Sequence, residues 1–360
     1  MKALVLEKNG FLNYKDVADP QVKADECLVE VKSAGICSSD IYRGFDHGAY
    51  HYPLIMGHEF AGVIAQTGTG VRGFKKGDRV AVFPLIPCQK CVNCKKQEYA
   101  QCLQYDYYGS RRDGAFAQFL AVKAWNLFKI PKDLSLDKAA LLEPVSVGIH
   151  AVKKIKIKKE DRVLVIGAGL IGLSMTKYLL GSLKAKNIYL VDRNDEKLMF
   201  ARKDGVRTIN SQKDHDWAKR VISETKGGCQ HVFEVCGSAL TYQSSLEVVC
   251  SHGNVIWVGN IDGDLTIPRK AVSSILRREI VIHGCWNSRF KHQQDDWKVA
   301  LEFLRKDADA DKWITHYVSL KDSNEMFQEL CSRKLQKKKD HRPVCLKAMV
   351  HPNGQEKENA

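Results

Sequence analysis

Four cysteines stand close together in the pattern Cys88-x2-Cys91-x2-Cys94-x7-Cys102. Four thiolates at such spacing hold zinc tetrahedrally and leave no coordination position open, so the site fixes a loop and performs no chemistry. An iron–sulfur cluster also takes four cysteines and is the smaller alternative. Four metal-free thiols packed into one loop are a poor account of this spacing.

A second set of metal-binding residue types is scattered. Cys37 lies in GICSSD, His58 and Glu59 in GHEF, and Glu143 in LLEPVSVGIH. Singly, each reads equally well as a buried core residue or, for Glu143, as an acid at a helix start. Together they supply a thiolate, an imidazole and carboxylates, a set suited to a zinc ion that keeps one position open. Zinc in such a site polarises an alcohol oxygen and lowers its pKa, so that a hydride can leave the carbon. Glu59 either binds the metal or supports a ligand. Asp40 is placed to accept the second ring N–H of His58, and Ser39 to take the alcohol proton. His150 reads as core; His47, His51 and His283 have no assigned role.

The hydride needs an acceptor. Gly167, Gly169 and Gly172 form G-x-G-x-x-G directly after the apolar run RVLVI and before the helix-like LIGLSMTKYLLGSL. That context is what makes the motif informative. Gly167 permits a tight turn, Gly169 lets the backbone approach a pyrophosphate, and Gly172 lets helix and strand pack closely. Leu170 and Ile171 open the helix, whose free N–H groups and dipole favour an anion. Asp192, at the end of the next predicted strand, suits the ribose hydroxyls of NAD and repels the 2′-phosphate of NADP. Arg193 pulls the other way, because an arginine there can pair with that phosphate. Lys197 reaches the same ribose or is simply solvated. Val258, in NVIWVGN, completes the candidate cofactor set.

These groups must be positioned by more than one folding unit. The chain has 360 residues, enough for about two domains. Residues 1–150 are rich in short strand-like runs, including 27–31, 62–65 and 79–83, the last fed by a Gly-Asp turn at 77–78. From residue 161 strands alternate with helices, at 187–194, 231–237 and 254–260, which implies a doubly wound parallel α/β sheet over residues 151–290. A helix at 295–305 and a terminal strand at 344–350 return to the first domain, so 291–360 is its C-terminal part. The polar tail from residue 351 is expected to fray.

Composition narrows the class. Net charge is +14, with lysine-rich runs at 153–162 and 334–342. Nucleic-acid binding would call for aromatic interleaving or a binding motif, and neither is present, so the runs read as solvated faces. No apolar stretch is long enough for a membrane helix. The N-terminus lacks a signal-peptide core, and clustered cysteines point to metal before disulfides, so the expected location is inside the cell, in the cytoplasm.

In this order, C-x-S-D, G-H-E, a four-cysteine loop, E-P-x-x-x-G and G-x-G-x-x-G with its aspartate resemble the medium-chain zinc-dependent alcohol and polyol dehydrogenases. The likeness runs from about residue 1 to residue 350. It implies a GroES-like catalytic domain, a Rossmann domain, one catalytic and one structural zinc per chain, NAD, and a homodimer or homotetramer. It also implies that Cys37, His58 and Glu143 are zinc ligands, with Glu59 or water completing the shell. Glu143 resembles the sugar-alcohol branch, because another branch has a second cysteine there.

YHYPLIMGHEF, PLIPCQKCVNC and YDYYGSRRDGAFAQF look very much like the galactitol 1-phosphate 5-dehydrogenases, which implies oxidation of galactitol 1-phosphate to tagatose 6-phosphate. Arg111 and Arg112, in the Gly-bounded GSRRDG, suit a substrate phosphate; the plainer alternative is that one pairs with Asp113 or an interdomain carboxylate. Two positions depart from the family pattern. Ser38 replaces a glycine, and Tyr42 replaces a proton-relay histidine, which leaves Ser39, Glu143 and water to carry the proton. The competing readings are a dehydrogenase of unphosphorylated polyols or amino alcohols, and a zinc-stabilised basic binding protein without activity.

Overall fold

A computed structural model describes residues 1–335 and 343–354. The lysine run at 334–342 therefore lies outside the described residues from 336 onward, as does the tail from 355. The chain divides into two compact units, Met1–Glu143 with Arg289–Ala360, and Pro144–Ser288. No helix of the described residues is long and apolar enough to cross a membrane.

The first unit is built on a seven-stranded sheet. Its central strand, Glu26–Gly35, alternates buried and half-buried residues, the period of a strand with one face in the core. It pairs antiparallel with Glu59–Thr67, Phe119–Lys123 and Ala348–His351. Arg79–Val82 joins the far side of Glu59–Thr67. The turn before it is made by Gly77 at φ 88°, a left-handed conformation that glycine adopts without steric cost. Leu4, Val29, Val31, Phe60, Phe116 and Phe327 lie in the core of this unit.

Register brings the chemistry together. Gly35 stands opposite Glu59 on one side and opposite Met349 on the other. Three strand ends therefore deliver Cys37, the His58–Glu59 pair and Lys347 to one end of the sheet.

The second unit carries a six-stranded parallel sheet in the order Arg207–Asn210, Asn187–Asp192, Arg162–Ile166, Cys229–Glu234, Val249–Trp257, Val281–Gly284. By chain position this is 3-2-1-4-5-6, the doubly wound order, with its topological switch between the first and fourth strands. Val163, Leu164, Val165 and Ile166 are fully buried or nearly so, as a strand covered on both faces requires.

One expectation is corrected. The start of the tail does not fray: His351 bonds Asp137 at 2.8 Å, and Asn353 donates to the carbonyls of Val31 and Gln118, both at 2.9 Å. These side-chain bonds pin the strand end that polarity alone marks as free.

Candidate active site

Cys37 caps the helix Ser38–Phe45. The Cys37 N–H donates to Asp40 Oδ2 at 3.0 Å, and Arg43 donates to Asp40 Oδ1 at 3.1 Å. Asp40 is thereby fixed, fully buried, 3.3 Å from His58 Nδ1. The approach is off the N–H direction, and Nδ1 has no well-aligned partner. Burial works against the Asp40 charge, but His58 and Arg43 hold its carboxyl below the ordinary range. Burial likewise opposes charging His58, and Asp40 and Cys37 outweigh it, lifting the imidazole well above its usual value.

One donor atom each from Cys37, His58 and Glu59 lies within 4.8 Å of the other two. Zinc bonds of about 2.0–2.3 Å place tetrahedral donors roughly 3.3–3.8 Å apart. The soft thiolate, imidazole and carboxylate fit that ion with modest adjustment. Glu143, second residue of the helix Leu142–Val152, is buried and stands outside this tight trio. Its Oε1 is 3.4 Å from the Tyr107 hydroxyl, and the Tyr107 ring meets His58 edge-on at 5.9 Å. Burial pushes Glu143 up to about 7, with His58 pulling it down and Glu59 pushing it further up. Ser39 sits half-buried in the first turn beside Cys37, with no hydrogen bond to Cys37, His58 or Glu143 among the described residues. Tyr42 stacks on His47 at 5.6 Å with Lys334 over its ring.

Sequence reasoning missed Lys347. Its ammonium pairs with Glu59 Oε2 and donates to the Ile36 carbonyl at 3.0 Å. Burial lowers the pKa of such a lysine, but Glu59 more than offsets it and the group stays charged. A lysine inside the otherwise apolar VCLKAMV was the available signal. A Cβ at Gly35 would meet the Glu59 carboxylate, so glycine there leaves room for the Glu59–Lys347 pair.

The four-cysteine loop closes on itself. Cys88 and Cys94 sulfurs are 4.0 Å apart and those of Cys91 and Cys102 are 3.9 Å apart. A tetrahedral zinc with bonds of about 2.3 Å sets sulfurs about 3.8 Å apart, whereas a disulfide needs about 2.05 Å. Backbone N–H groups of Leu103 and Cys94 hold the Cys91 thiol down at about 6, easing formation of a thiolate ligand. The Cys88 N–H lies 3.2 Å from Cys102 Sγ. The donor set is closed, as a structural site requires.

In the second unit the glycine motif bridges Arg162–Ile166 and the helix Leu170–Gly181. Gly167 has φ 115°, and a Cβ on Gly172 would collide with its carbonyl. Gly169 caps the helix and faces open space, which leaves room for a phosphate over the Leu170 and Ile171 amides. Asp192 accepts the Ala168 N–H at 2.7 Å and the Asn194 N–H at 2.9 Å, so it shapes the glycine turn. Arg193 is exposed and Lys197 half-buried at the start of the helix Asp195–Arg202. Val258 follows the fifth strand, its N–H bonded to the Glu234 carbonyl at 2.9 Å. Gly167, Asp192 and Val258 stand at or just past the C-terminal ends of parallel strands, the side of a doubly wound sheet on which dinucleotides bind.

The two arginines part company. Arg112 Nε donates to Asp106 Oδ2 at 2.7 Å and a second nitrogen reaches the same oxygen. Asp113 instead accepts the Ile55 N–H at 2.9 Å. Arg111 is exposed and has no carboxylate partner among the described residues.

A doubly wound dinucleotide crevice, an open thiolate–imidazole–carboxylate site and a closed four-thiolate loop define a zinc-dependent dehydrogenase. Residues 23–132 match the alcohol dehydrogenase GroES-like domain and residues 169–306 the zinc-binding dehydrogenase domain. The chain belongs to the medium-chain zinc-dependent alcohol dehydrogenases, oxidoreductases that use zinc and NAD and act on small molecules. It is 35% identical over 308 residues to galactitol 1-phosphate 5-dehydrogenase of Escherichia coli strain K12, covering 84% of this chain and 88% of that one. It is 32% identical to sorbitol dehydrogenase of Bacillus subtilis strain 168, covering 98% of each. The crystal structure of galactitol-1-phosphate dehydrogenase from Escherichia coli superposes with TM-score 0.87 at 32% identity, covering 98% of this chain and 100% of that one.

Proposed function

We propose that the protein oxidises a phosphorylated sugar alcohol, galactitol 1-phosphate, to tagatose 6-phosphate and reduces NAD. The observation that carries the reading is the convergence of Cys37, His58 and Glu59 with Glu143 held beside them through Tyr107. Cys37, His58 and Glu59 would hold zinc there, and the ion would supply the polarisation that lowers the pKa of the substrate hydroxyl. Glu143 and Ser39 are the groups at hand for the released proton, and Glu143 is the one tied by Tyr107 to His58. Asp192 favours NAD, since its charge repels a 2′-phosphate.

Likeness to the Escherichia coli enzyme and an Arg111 with no carboxylate partner among the described residues favour a phosphorylated substrate. A second reading, an unphosphorylated polyol, draws on the likeness to sorbitol dehydrogenase along nearly the whole chain. The family membership displaces the inactive binding protein. The reading places the protein in the cytoplasm, a reducing compartment in which clustered thiols stay available to metal. The edge strand Val281–Gly284, with Val281, Leu276 and Trp286 exposed near it in sequence, offers backbone and apolar surface for a second copy, in line with a homodimer or homotetramer.

The test is NADH formation by zinc-loaded protein across galactitol 1-phosphate, galactitol, sorbitol and threonine, with NAD and NADP. Preferred turnover of galactitol 1-phosphate with NAD is expected. Equal or better use of sorbitol or threonine overturns the phosphate specificity.

A further inference from the structure

We infer that Arg111, gripped between Tyr50 and Tyr105, is the specificity-determining residue that receives the phosphate of the substrate, while Arg112 only braces its loop. The inference rests on the phosphorylated-polyol reading and assigns it to one side chain.

The guanidinium of Arg111 lies 4.6 Å from the centroid of the Tyr50 ring and 4.6 Å from that of Tyr105. Rings over a guanidinium cover its π surface and leave its N–H groups free at the edge. Those donors match two phosphate oxygens in a fork. Stacking also restrains a side chain that otherwise loses much freedom on binding, so the receptor is preorganised. Arg112 cannot serve in the same way, since its charge is matched by Asp106 and it lies over Tyr108.

The clamp is braced. The His51 ring sits between two carbonyls, Nε2 at 3.2 Å from Arg111 O and Nδ1 at 3.1 Å from Pro53 O. That ties the segment carrying Tyr50 to the loop carrying Arg111. Arg111 and Arg112 N–H groups both donate to the Tyr107 carbonyl, at 3.0 and 3.2 Å.

The clamp also belongs to the wall of the metal site. Tyr105 meets Tyr107 edge-on at 6.4 Å, and Tyr107 contacts both His58 and Glu143. Gly114 packs so closely on Gly57, the residue before His58, that a Cβ would collide with the Gly57 carbonyl. A substrate anchored at Arg111 thus lies along the tyrosines that lead to the donor set.

The test is kcat and KM with NAD for galactitol 1-phosphate, galactitol and the carboxylate galactonate, in the wild type, Arg111→Gln and Arg112→Gln. Arg111→Gln is expected to lower the ratio of kcat/KM for galactitol 1-phosphate over galactitol by about 100-fold, mainly through KM. Arg112→Gln is expected to keep that ratio within a factor of about three while lowering thermal stability. An unchanged ratio in Arg111→Gln, an equal loss in Arg112→Gln, or a wild-type preference for galactonate overturns the assignment. If the wild type uses no phosphorylated polyol, the functional reading fails. Calorimetric titration with inorganic phosphate then judges Arg111 alone: binding lost in Arg111→Gln supports it, and equal binding in both proteins overturns it.

Discussion

Lys347 and Glu59, far apart in sequence, form a buried ion pair beside Cys37 and His58. Removing one member of such a pair leaves an uncompensated buried charge, at a cost of about 3–5 kcal/mol. Lys347→Met in zinc-free protein should lower the urea midpoint accordingly. Lys347→Met with Glu59→Gln should recover most of the loss, and a double-mutant cycle reads the coupling directly.

The two metal sites have different duties, so their loss should look different. Zinc content by mass spectrometry should be about two per chain in the wild type and about one in Cys37→Ser or Cys94→Ser. Cys37→Ser should abolish turnover with little change in thermal midpoint. Cys94→Ser should lower the midpoint, because the closed site contributes folding energy.

Asp192 ends the second strand of the parallel sheet and accepts two backbone N–H groups. Asp192→Ala should raise KM for NAD by roughly 10–100-fold, the worth of a charge-assisted hydrogen bond. Arg193 then meets no opposing charge, and turnover with NADP should rise relative to NAD. Steady-state kinetics with both cofactors check this.

In the parallel sheet, His231 Nε2 lies 3.0 Å from Asp161 and its Nδ1 is 3.4 Å from Asn254, which also bonds His283 at 2.9 Å. Burial lowers the pKa of His231, against the opposing pull of Asp161. Burial lowers His283 too, with Lys154 adding to it. A histidine with a folded pKa below its unfolded value stabilises fully above the unfolded value, about 6.5, and that stability is lost as pH falls toward the folded one. The thermal midpoint should drop between about pH 7 and pH 5.5, and the drop should shrink in His231→Asn.

What could be read from sequence follows how local each feature is. The four-cysteine loop and the glycine motif place their chemistry within a few residues, so spacing alone exposes them. Cys37 and His58 are legible as residue types, but only the Gly35–Glu59 register brings them together. Lys347 stood out only as a lysine in an apolar run, and its partner stayed hidden because the pairing spans most of the chain. The partner of Arg112 was also hidden: the turn at residues 107–112 presents Asp106 to it, while adjacent Asp113 turns to the Ile55 amide.

The central claim is a hydride moved from a phosphorylated sugar alcohol to NAD, and an isotope follows that hydride directly. Zinc-loaded protein is given NAD and galactitol 1-phosphate deuterated at C5, the position in the name of the Escherichia coli relative, and the reduced cofactor is weighed by mass spectrometry. The account predicts NADH carrying the deuterium, with tagatose 6-phosphate as co-product. Unlabelled NADH, or none while free galactitol is oxidised, would contradict it.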